Sequence, residues 1–325
     1  MRAIVWQVGY WQLIRLTVDS AADGRISERE APVSEITRVG VLAHPLRPQT
    51  FPVAEQIAES LRTRDIGAAV FTEWHDAEVA AVTDMFDLVI AIGGDGAMLR
   101  AARVCAPFDV PVLGINMGQL GFLTEVREPD QWPEVIDRVL ARDYWIEQRM
   151  MLAAVVLRDG VSIAEAEALN DVVVSGDVVG RMIQLETHID GQWTTTYNAD
   201  GLVIATATGS TAYALACGGP VLPPELKNIL VVPSAPHMSM DRPIVLSEGV
   251  TVEVRPSSSN RSGIAVTADG VYVAGLQPGD RVTVQASQHV SQFVRMRAHN
   301  YFYRSLLDRF EPRVRRSQAS DEVES

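Results

Sequence analysis

The chain contains very little lysine. Of its 28 basic residues, Lys227 is the single lysine and the others are arginine. Lys227 stands in Glu-Leu-Lys-Asn with no glycine-rich loop before it, which excludes the P-loop of many nucleotide-binding proteins. The Val-Ala-Ile-Lys strand of protein kinases is absent as well. A phosphate site in this chain must therefore use arginine, backbone N–H groups or hydroxyls.

Positive charge and cysteine are also scarce. The 41 acidic residues outnumber the basic ones, and the formal net charge of −13 argues against a nucleic-acid partner, which needs clustered positive charge. Two distant cysteines, Cys105 and Cys217, form no disulfide framework, so we expect a protein of the reducing cytoplasm. No apolar run approaches the roughly 20 residues that span a bilayer, so we expect no membrane partner. The six histidines are not spaced as metal ligands, so no structural metal site is expected.

The order of apolar patterns predicts the fold class. Buried strands at 38–43, 68–71, 87–92 and 111–115 alternate with helical patterns, as in a parallel sheet with helices on its faces. After Trp145, short β-rich runs are separated by turn signals such as Asp269-Gly270. We therefore predict an α/β N-terminal domain with a parallel sheet and a mostly-β C-terminal domain. Helical spacing over 301–310 predicts a C-terminal helix that returns to the first domain.

These patterns also suggest where the parts of the chain begin and end. The length of 325 residues suits about two domains of ordinary size. We predict an N-terminal extension over 1–37, an α/β domain over 38–144, a β-rich domain over 145–296, a returning helix over 297–312 and a flexible tail over 313–325.

A Gly-Gly-Asp-Gly segment at 93–96 follows the third apolar strand. Glycines allow backbone N–H groups to approach a ligand closely, and clusters of such groups favour phosphate. The Asp95 carboxylate repels phosphate, so it must meet a metal ion or a hydroxyl that is about to receive the phosphate. This combination suggests phosphoryl transfer to an alcohol, although Asp95 is equally suited to cap a helix. Leu99 at the third glycine position excludes the dinucleotide fingerprint.

A second polar segment, Thr-Ala-Thr-Gly-Ser-Thr-Ala-Tyr at 206–213, follows another apolar strand. Capping of a helix near Ala212 explains some of its hydroxyls. It explains neither Tyr213 nor the upstream Asp200, which suit a nucleoside-like ligand with a planar ring and several hydroxyls. Asn170 and Asp171 add donors and acceptors before a further strand, although such a pair is also typical of a turn.

Taken together, these segments resemble the NAD kinase family. The resemblance runs in order from about Arg38 to Phe310. Gly-Gly-Asp-Gly alone is shared with phosphofructokinases and lipid kinases, whereas the Thr-Gly-Ser-Thr-Ala-Tyr block is far more specific. The matching segments are Gly-Gly-Asp-Gly at 93–96, Asn-Met-Gly-Gln-Leu-Gly-Phe-Leu at 116–123, Leu-Asn-Asp-Val-Val at 169–173, Asp-Gly-Leu at 200–202, Thr-Gly-Ser-Thr-Ala-Tyr at 208–213, Gly-Gly-Pro at 218–220, Pro-His-Met-Ser at 236–239 and Arg-Pro-Ile at 242–244.

The resemblance implies an activity and a set of site residues. The family transfers a phosphoryl group from ATP, or from polyphosphate, to the 2′-hydroxyl of the adenosine ribose of NAD, with Mg²⁺ or another divalent metal accompanying ATP. It implies that Asp95 accepts the hydroxyl proton and that the β-rich domain binds NAD. A homo-oligomer, dimer or tetramer, is implied because some family contacts come from a neighbouring subunit. The implied phosphate-donor loop is Gly93, Gly94 and Gly96, and the implied NAD-binding residues are Asp95, Gly96, Arg100, Asn170, Asp171, Arg181, Asp200, Thr211, Ala212, Tyr213, Ala214, Leu215, Ala216 and Ala235.

The chain departs from the family pattern at four positions. The family usually has Thr where Ala97 stands, Pro at Ala207, Ser at Ala216 and Glu at Asp171. The missing hydroxyl at Ala97 removes a phosphate contact worth about 1.5–3 kcal/mol. Two alternatives therefore stay open: an NAD(P)-binding sensor with weak or no activity, and a Gly-Gly-Asp-Gly kinase that acts on another alcohol.

Overall fold

The computed structural model describes residues 35–72, 76–117, 121–178 and 180–310. Residues 1–34 of the expected N-terminal extension lie outside the described residues, as does the whole of the expected tail at 313–325. Within the described ranges, no helix has both the length and the apolar character needed to cross a membrane.

The first part of the chain is a parallel sheet covered by helices. Strands β1 (Arg38–Ala43), β2 (Gly67–Phe71), β3 (Leu88–Gly93) and β4 (Val112–Asn116) pair in parallel in the order β2-β1-β3-β4. Every residue of β3 and β4 is buried, as expected for strands with both faces covered. The helices of this part are α1 (Thr50–Arg62), α2 (Asp76–Thr83), α3 (Asp95–Cys105) and α4 (Trp132–Leu140).

Two apolar clusters hold these helices on the sheet. Ile57 of α1 and Ile136 of α4 pack in one cluster with Ile90 of β3. Met98 and Ala102 of α3 pack in the other, which includes alternate residues of the same strands. Helices thus cover both faces of the sheet, which confirms the predicted α/β class.

The rest of the chain is a two-layer β structure. Its strands are β5 (Trp145–Arg158), β6 (Val161–Ala168), β7 (Asp171–Gly176), β8 (Ile183–Ile189), β9 (Gln192–Ala199), β10 (Gly201–Thr206), β11 (Asn228–Ser234), β12 (Ile244–Ser247), β13 (Val252–Pro256), β14 (Ile264–Ala268), β15 (Val271–Leu276) and β16 (Arg281–Arg295). Six antiparallel strands form one sheet in the order β12-β11-β10-β7-β14-β15, and the others extend the sheet that starts in the first part. A single apolar cluster between the layers includes Val174 and Leu202 from one sheet and Leu185 and Val254 from the other.

Strand β16 joins the two parts of the molecule. It pairs antiparallel with β5 and β13 and, through Phe293 and Val112, in parallel with β4. The parallel sheet and half of the β structure are therefore one continuous ten-stranded sheet. A short helix, α5 (Tyr213–Ala216), lies between β10 and β11. A C-terminal helix, α6 (Tyr301–Phe310), follows β16 and packs against the first part through Phe122 and Phe302, whose rings lie 6.2 Å apart. The predicted returning helix is confirmed.

The apolar patterns missed some elements. The β-rich runs predict strands only at 151–157, 172–174, 182–189, 202–205, 229–232, 244–246, 250–254, 264–267 and 282–285. Strands β6, β9 and β15 were therefore not expected, and β16 is much longer than its predicted run. Helix α2 was not expected either, because the helical patterns of the first part lie at 53–61, 97–104 and 133–140. Strand β6 alternates alanine with glutamate over 164–168, and β9 contains three consecutive threonines. Both lie at sheet edges, where one side stays in contact with water and apolar residues are not required.

Candidate active site

The Gly-Gly-Asp-Gly segment forms the turn from β3 into α3. Gly94 is the N-cap residue and Asp95 is the first residue of the helix, without any side-chain cap. The Asp95 carboxylate instead accepts backbone N–H groups from Phe122, at 2.9 Å, and from Leu123, at 3.1 Å. The helix-cap interpretation of Asp95 is therefore wrong, because its side chain is held by a segment that follows β4.

The backbone at Gly121 makes this arrangement possible. A Cβ atom on Gly121 would lie 1.7 Å from Oδ1 of Asp95, so no larger residue fits beside the carboxylate in this position. Asp95 is half-buried and keeps unused lone pairs on its oxygens. It can therefore accept a hydrogen bond, and then a proton, from a hydroxyl brought against its exposed side.

Basic side chains gather beside this turn. The pKa of His44, which follows β1, is lowered mainly by burial and further by the charges of Arg47 and Arg100. Arg47 reaches the backbone carbonyl of Met117 at the end of β4, with Nη1 3.5 Å from the oxygen. The turns after β1, β3 and β4 thus meet at the carboxyl edge of the parallel sheet, where such folds bind ligands. Sequence reasoning proposed Arg100 but missed His44 and Arg47, since nothing in their spacing marks them.

The turn at Leu169 and Asn170 joins β6 to β7, whose first residue is Asp171, and a distant carboxylate holds it. Asp269, whose side chain is fully buried, accepts the backbone N–H groups of Leu169, Asn170 and Asp171 at 2.9, 2.8 and 3.2 Å. Burial, together with the neighbouring charge of Asp269, raises the pKa of Asp171 to about 7. Arg103 of α3 lies 4.0 Å from Asp269, so this turn lies beside the helix that starts with Asp95.

The hydroxyl-rich segment at 206–213 packs directly on that turn. The Thr206 hydroxyl donates to the Leu169 carbonyl at 2.6 Å and accepts the N–H of Gly209 at 3.0 Å. The Ser210 hydroxyl bonds the backbone of Leu222. The short helix α5 (Tyr213–Ala216) has no side-chain cap, so the capping interpretation of these hydroxyls is wrong. The hydroxyls of Thr206 and Ser210 instead bond the segment to the backbone of Leu169 and Leu222.

The remaining candidates gather at the opposite end of the six-stranded sheet. The Tyr213 hydroxyl lies 3.2 Å from the Ser234 hydroxyl, and the Ser234 carbonyl accepts the N–H of Asp200 at 2.9 Å. Ala235 follows directly, in a left-handed conformation with φ of 48°. Arg181 is exposed in the turn after β7, whose last residue, Gly176, bonds the Asp200 carbonyl.

The candidates therefore form two groups, one at each end of β7. The separation between them is the length of that strand, roughly 16 Å. The segment at 206–213 connects the groups across the sheet face, where Ala214 is fully buried against Val203 and Leu230. Leu215 is half-buried and Ala216 is exposed. Arg181 and Asp200 thus lie at the end of β7 opposite to Asn170 and Asp171.

Two of the atypical alanines lie inside the structure. Ala97 and Ala207 are 6% and 2% exposed. Ala97 faces the turn, since a Cβ atom on Gly93 would lie 2.7 Å from its methyl group. In the described part of the chain, no group of three or more His, Cys, Asp or Glu side chains is arranged to hold a metal ion.

Comparisons with known proteins cover most of the chain. Residues 47–144 match the family model described as ATP-NAD kinase N-terminal domain, and residues 169–296 match ATP-NAD kinase C-terminal domain. An NAD kinase of Citrifermentans bemidjiense is 35% identical over 275 residues, covering 82% of this chain and 95% of the relative. An NAD kinase of Heliobacterium modesticaldum is 37% identical over 271 residues, covering 81% and 95%.

Two solved structures share the fold. Yeast NADH kinase complexed with NADH superposes with a TM-score of 0.73 at 22% identity, covering 90% of this chain and 91% of that one. An NAD kinase from Archaeoglobus fulgidus in complex with ATP gives a TM-score of 0.66 at 24% identity, covering 83% and 97%. At these identities the likeness concerns the fold, which agrees with the architecture described above.

Proposed function

The chain belongs to the NAD kinase family, and we propose that it transfers the terminal phosphoryl group of ATP to the 2′-hydroxyl of the adenosine ribose of NAD. One observation supports Asp95 as the proton acceptor. Its carboxylate is held by two backbone N–H groups beside the glycine turn, with one side open. That geometry suits a group that orients a hydroxyl toward a phosphate on the turn.

The reaction then proceeds in a single displacement. The 2′-hydroxyl donates a hydrogen bond to Asp95, the new O–P bond forms, and the bond between the terminal phosphorus and the ADP oxygen breaks. Phosphoryl transfer has a loose transition state, so alignment and charge neutralisation matter more than early removal of the proton. The proton therefore reaches Asp95 late in the step. Mg²⁺ enters as part of the Mg²⁺–ATP substrate, and Arg47 and Arg100 supply further positive charge beside the turn.

NAD is proposed to extend along the face of the six-stranded sheet. The two groups of polar residues, separated by the length of β7, suit a ligand with polar groups at both ends. We assign NAD contacts to the residues implied by the family resemblance: Asp95, Gly96, Arg100, Asn170, Asp171, Arg181, Asp200, Thr211, Ala212, Tyr213, Ala214, Leu215, Ala216 and Ala235. Polyphosphate stays a second donor candidate, because the turn offers backbone N–H groups that bind any phosphate chain.

We further propose a homo-oligomer and a cytoplasmic location. Arg181, Asp200 and Ala235 are exposed at the far end of the site, where a second copy of the chain can complete the NAD surface. Both cysteines are free, which suits a reducing compartment.

The test is a matrix of donors and acceptors with the purified protein. ATP and polyphosphate are each combined with NAD, NADH and unrelated alcohols, and NADP or NADPH formation is measured. We expect NADP from ATP, Mg²⁺ and NAD, and a loss of at least about 100-fold in kcat for Asp95→Asn. Asp143→Asn, an exposed carboxylate paired with Arg138, serves as the matched control and retains full activity. Full activity of Asp95→Asn contradicts the assignment.

An NAD(P)-binding sensor is the second candidate, favoured by Ala97 in place of the usual threonine. It is distinguished by a raised melting temperature in the presence of NAD or NADP without turnover under any donor. Phosphorylation of an unrelated alcohol, with NAD left unchanged, supports the third interpretation of a kinase for another substrate.

A further inference from the structure

A network of buried charges lies between the Asp95 turn and the hydroxyl-rich segment. At its centre is Glu147 of β5, which is 6% exposed. Its Oε2 accepts Nε of Arg295 at 2.7 Å, and Nε and Nη2 of Arg149 at 3.1 and 3.0 Å. The Tyr301 hydroxyl donates to the same carboxylate at 2.8 Å and accepts Nη2 of Arg149 at 2.6 Å. One carboxylate therefore contacts two guanidinium groups and the first residue of α6, while a second buried carboxylate, Glu125, lies 3.5 Å from Nη1 of Arg295.

The charges in this network are almost completely shielded from water. Arg149 is 2% exposed and Arg295 is fully buried, stacked on the ring of Phe293 at 5.0 Å. Burial by itself raises the pKa of Glu147, but the two arginines outweigh it and bring the pKa to about 2. A buried ion cluster is often no more stabilising than apolar residues of the same volume. Such a cluster instead fixes the positions and orientations of its charged side chains.

Both arginines reach out of the cluster toward the proposed site. Nη1 of Arg295 donates to the Leu123 carbonyl at 2.8 Å, while the N–H of Leu123 donates to Asp95. Leu123 is thus held from both sides of its backbone. Nη1 of Arg149 lies 3.4 Å from the Thr208 hydroxyl, in the segment that packs on the Asn170 turn. Glu147 is therefore two contacts away from Leu123, which bonds Asp95, and two contacts away from Thr208.

We propose that Glu147, Arg149 and Arg295 form a positioning unit that aligns the Asp95 carboxylate with the NAD-binding segment. The proposal rests on the function proposed above. Arg295 acts on the Asp95 side, through Leu123, and Arg149 acts on the NAD side, through Thr208. Glu147 sets the relative position of the two guanidinium groups. The network therefore determines how the 2′-hydroxyl of bound NAD is placed against the Asp95 carboxylate.

The contact of Arg295 with Leu123 and the contact of Arg149 with Thr208 predict different kinetic effects. In Arg295→Lys the ammonium keeps the charge but lacks the planar guanidinium fork, whose Nε and Nη1 bond Glu147 and Leu123 separately, so kcat falls while the KM for NAD stays within about twofold. In Arg149→Lys the contact with Thr208 is lost, so the KM for NAD rises while kcat changes little. Glu147→Gln weakens the bonds that hold the guanidinium groups of Arg149 and Arg295 in place. We expect about a 10- to 100-fold loss of kcat together with a raised KM for NAD.

A matched control comes from a different ion pair in the same sheet, in which the carboxylate is buried and the arginine is half-buried. Asp280, 2% exposed, accepts Nε and Nη2 of Arg158 at 2.9 and 2.7 Å, at the far end of β5 and β16. Asp280→Asn lowers the melting temperature but leaves kcat and KM unchanged at a temperature where the variant is folded. A loss of stability alone, without a kinetic effect, is therefore what a purely structural carboxylate shows.

Each outcome decides the proposal. Folded Glu147→Gln with kcat and KM within twofold of the wild type overturns it, as does a loss of activity that only follows the folded fraction. If Glu147→Gln does not fold, Tyr301→Phe decides, because it removes one hydroxyl from the cluster; a several-fold loss of kcat supports the unit and an unchanged kcat overturns it. A wild type that forms no NADP with any donor contradicts the proposed function itself, whereas an active wild type beside unaffected variants contradicts only the positioning role.

Discussion

The carboxylate of Asp95 occupies space that exists because residue 121 is glycine. Asp95 is the first residue of α3, where the partial positive charge of the helix start favours a carboxylate. Two N–H groups from the Phe122–Leu123 segment restrict its rotation. At the residue scale, the proposed chemistry therefore depends on a charged group whose orientation is set before any substrate arrives.

Gly121→Ala tests this orientation. The added methyl group overlaps the carboxylate oxygen, 1.7 Å away, so either Asp95 or the backbone of its partner segment must move. We expect kcat for NADP formation to fall by about 10- to 100-fold, because small displacements at a reacting group are costly. Steady-state kinetics measure the effect, and circular dichroism checks the fold. Gly249→Ala, where the methyl group meets open space, is the control; equal activity of both variants shows that the position of Asp95 is not critical.

At the scale of elements, the turn between β6 and β7 and the segment after β10 form one packed unit. The Asn170 carbonyl accepts the N–H of Thr206 at 2.9 Å, and Asp269 holds the other side of the turn through three N–H groups. Two stretches that are distant along the chain thus define a single surface. The shape of that surface is set by backbone contacts more than by the side chains that face the ligand.

Gly209→Ala separates these two elements. A Cβ atom there would lie 2.0 Å from the carbonyl oxygen of Asn170, which is backbone and cannot move aside alone. We expect the free energy of unfolding to fall by about 1–3 kcal/mol through strain, and the KM for NAD to rise at least about tenfold. Urea denaturation and kinetics measure the two effects. Unchanged affinity for NAD in the destabilised variant indicates that the ligand does not use this surface.

At the scale of the whole molecule, one long strand makes the two parts interdependent. Strand β16 pairs with strands of both parts, and Phe293 near its end packs in the cluster that contains α3 and Leu169. The stability of the buried site is therefore linked to the stability of the entire fold. Its charged groups should be visible in the pH dependence of unfolding.

Asp171 gives this dependence a definite sign. Its pKa in the folded chain is about 7, raised by burial and by Asp269 beside it, above an ordinary value near 3.8. The pKa of Asp269 is also raised by burial, although its three N–H partners and Arg103 oppose the shift. The native state therefore binds a proton at Asp171 more tightly than the unfolded state does. The contribution of this proton to the free energy of unfolding is complete below the ordinary pKa and is lost as the pH rises through 7.

Asp171→Asn isolates this contribution, because asparagine resembles the protonated acid. We expect the variant to be about as stable as the wild type near pH 4 and more stable near pH 8, by roughly 1–3 kcal/mol, with the difference growing between pH 4 and pH 7. Urea denaturation at several pH values measures the difference. Gly249→Ala, which removes no titratable group, should shift stability equally at each pH. A difference between Asp171→Asn and the wild type that stays constant with pH contradicts the raised pKa.

Much of the fold followed from patterns in the chain. The apolar runs placed β1 to β4, and the helical spacing placed α6, because elements buried on a defined face must repeat apolar residues at a characteristic period. The polar edge strands β6 and β9 carry no such requirement and were missed. The site was found in the same way, as short motifs at the ends of strands, and the assigned NAD contacts stay predictions.

The succession of apolar runs and short motifs along the chain was sufficient to indicate the α/β and β-rich parts, the family, and the residue types expected of a phosphoryl-transfer site. Tertiary structure alone decided what each group touches. It showed that Asp95 bonds the Phe122–Leu123 segment rather than capping its helix, that Asp269 holds a turn about 100 residues away, and that Glu147 joins Arg149 to Arg295. The physical reason is that a charged group takes its partners from whatever the strand register brings near it, and those partners are distant in sequence.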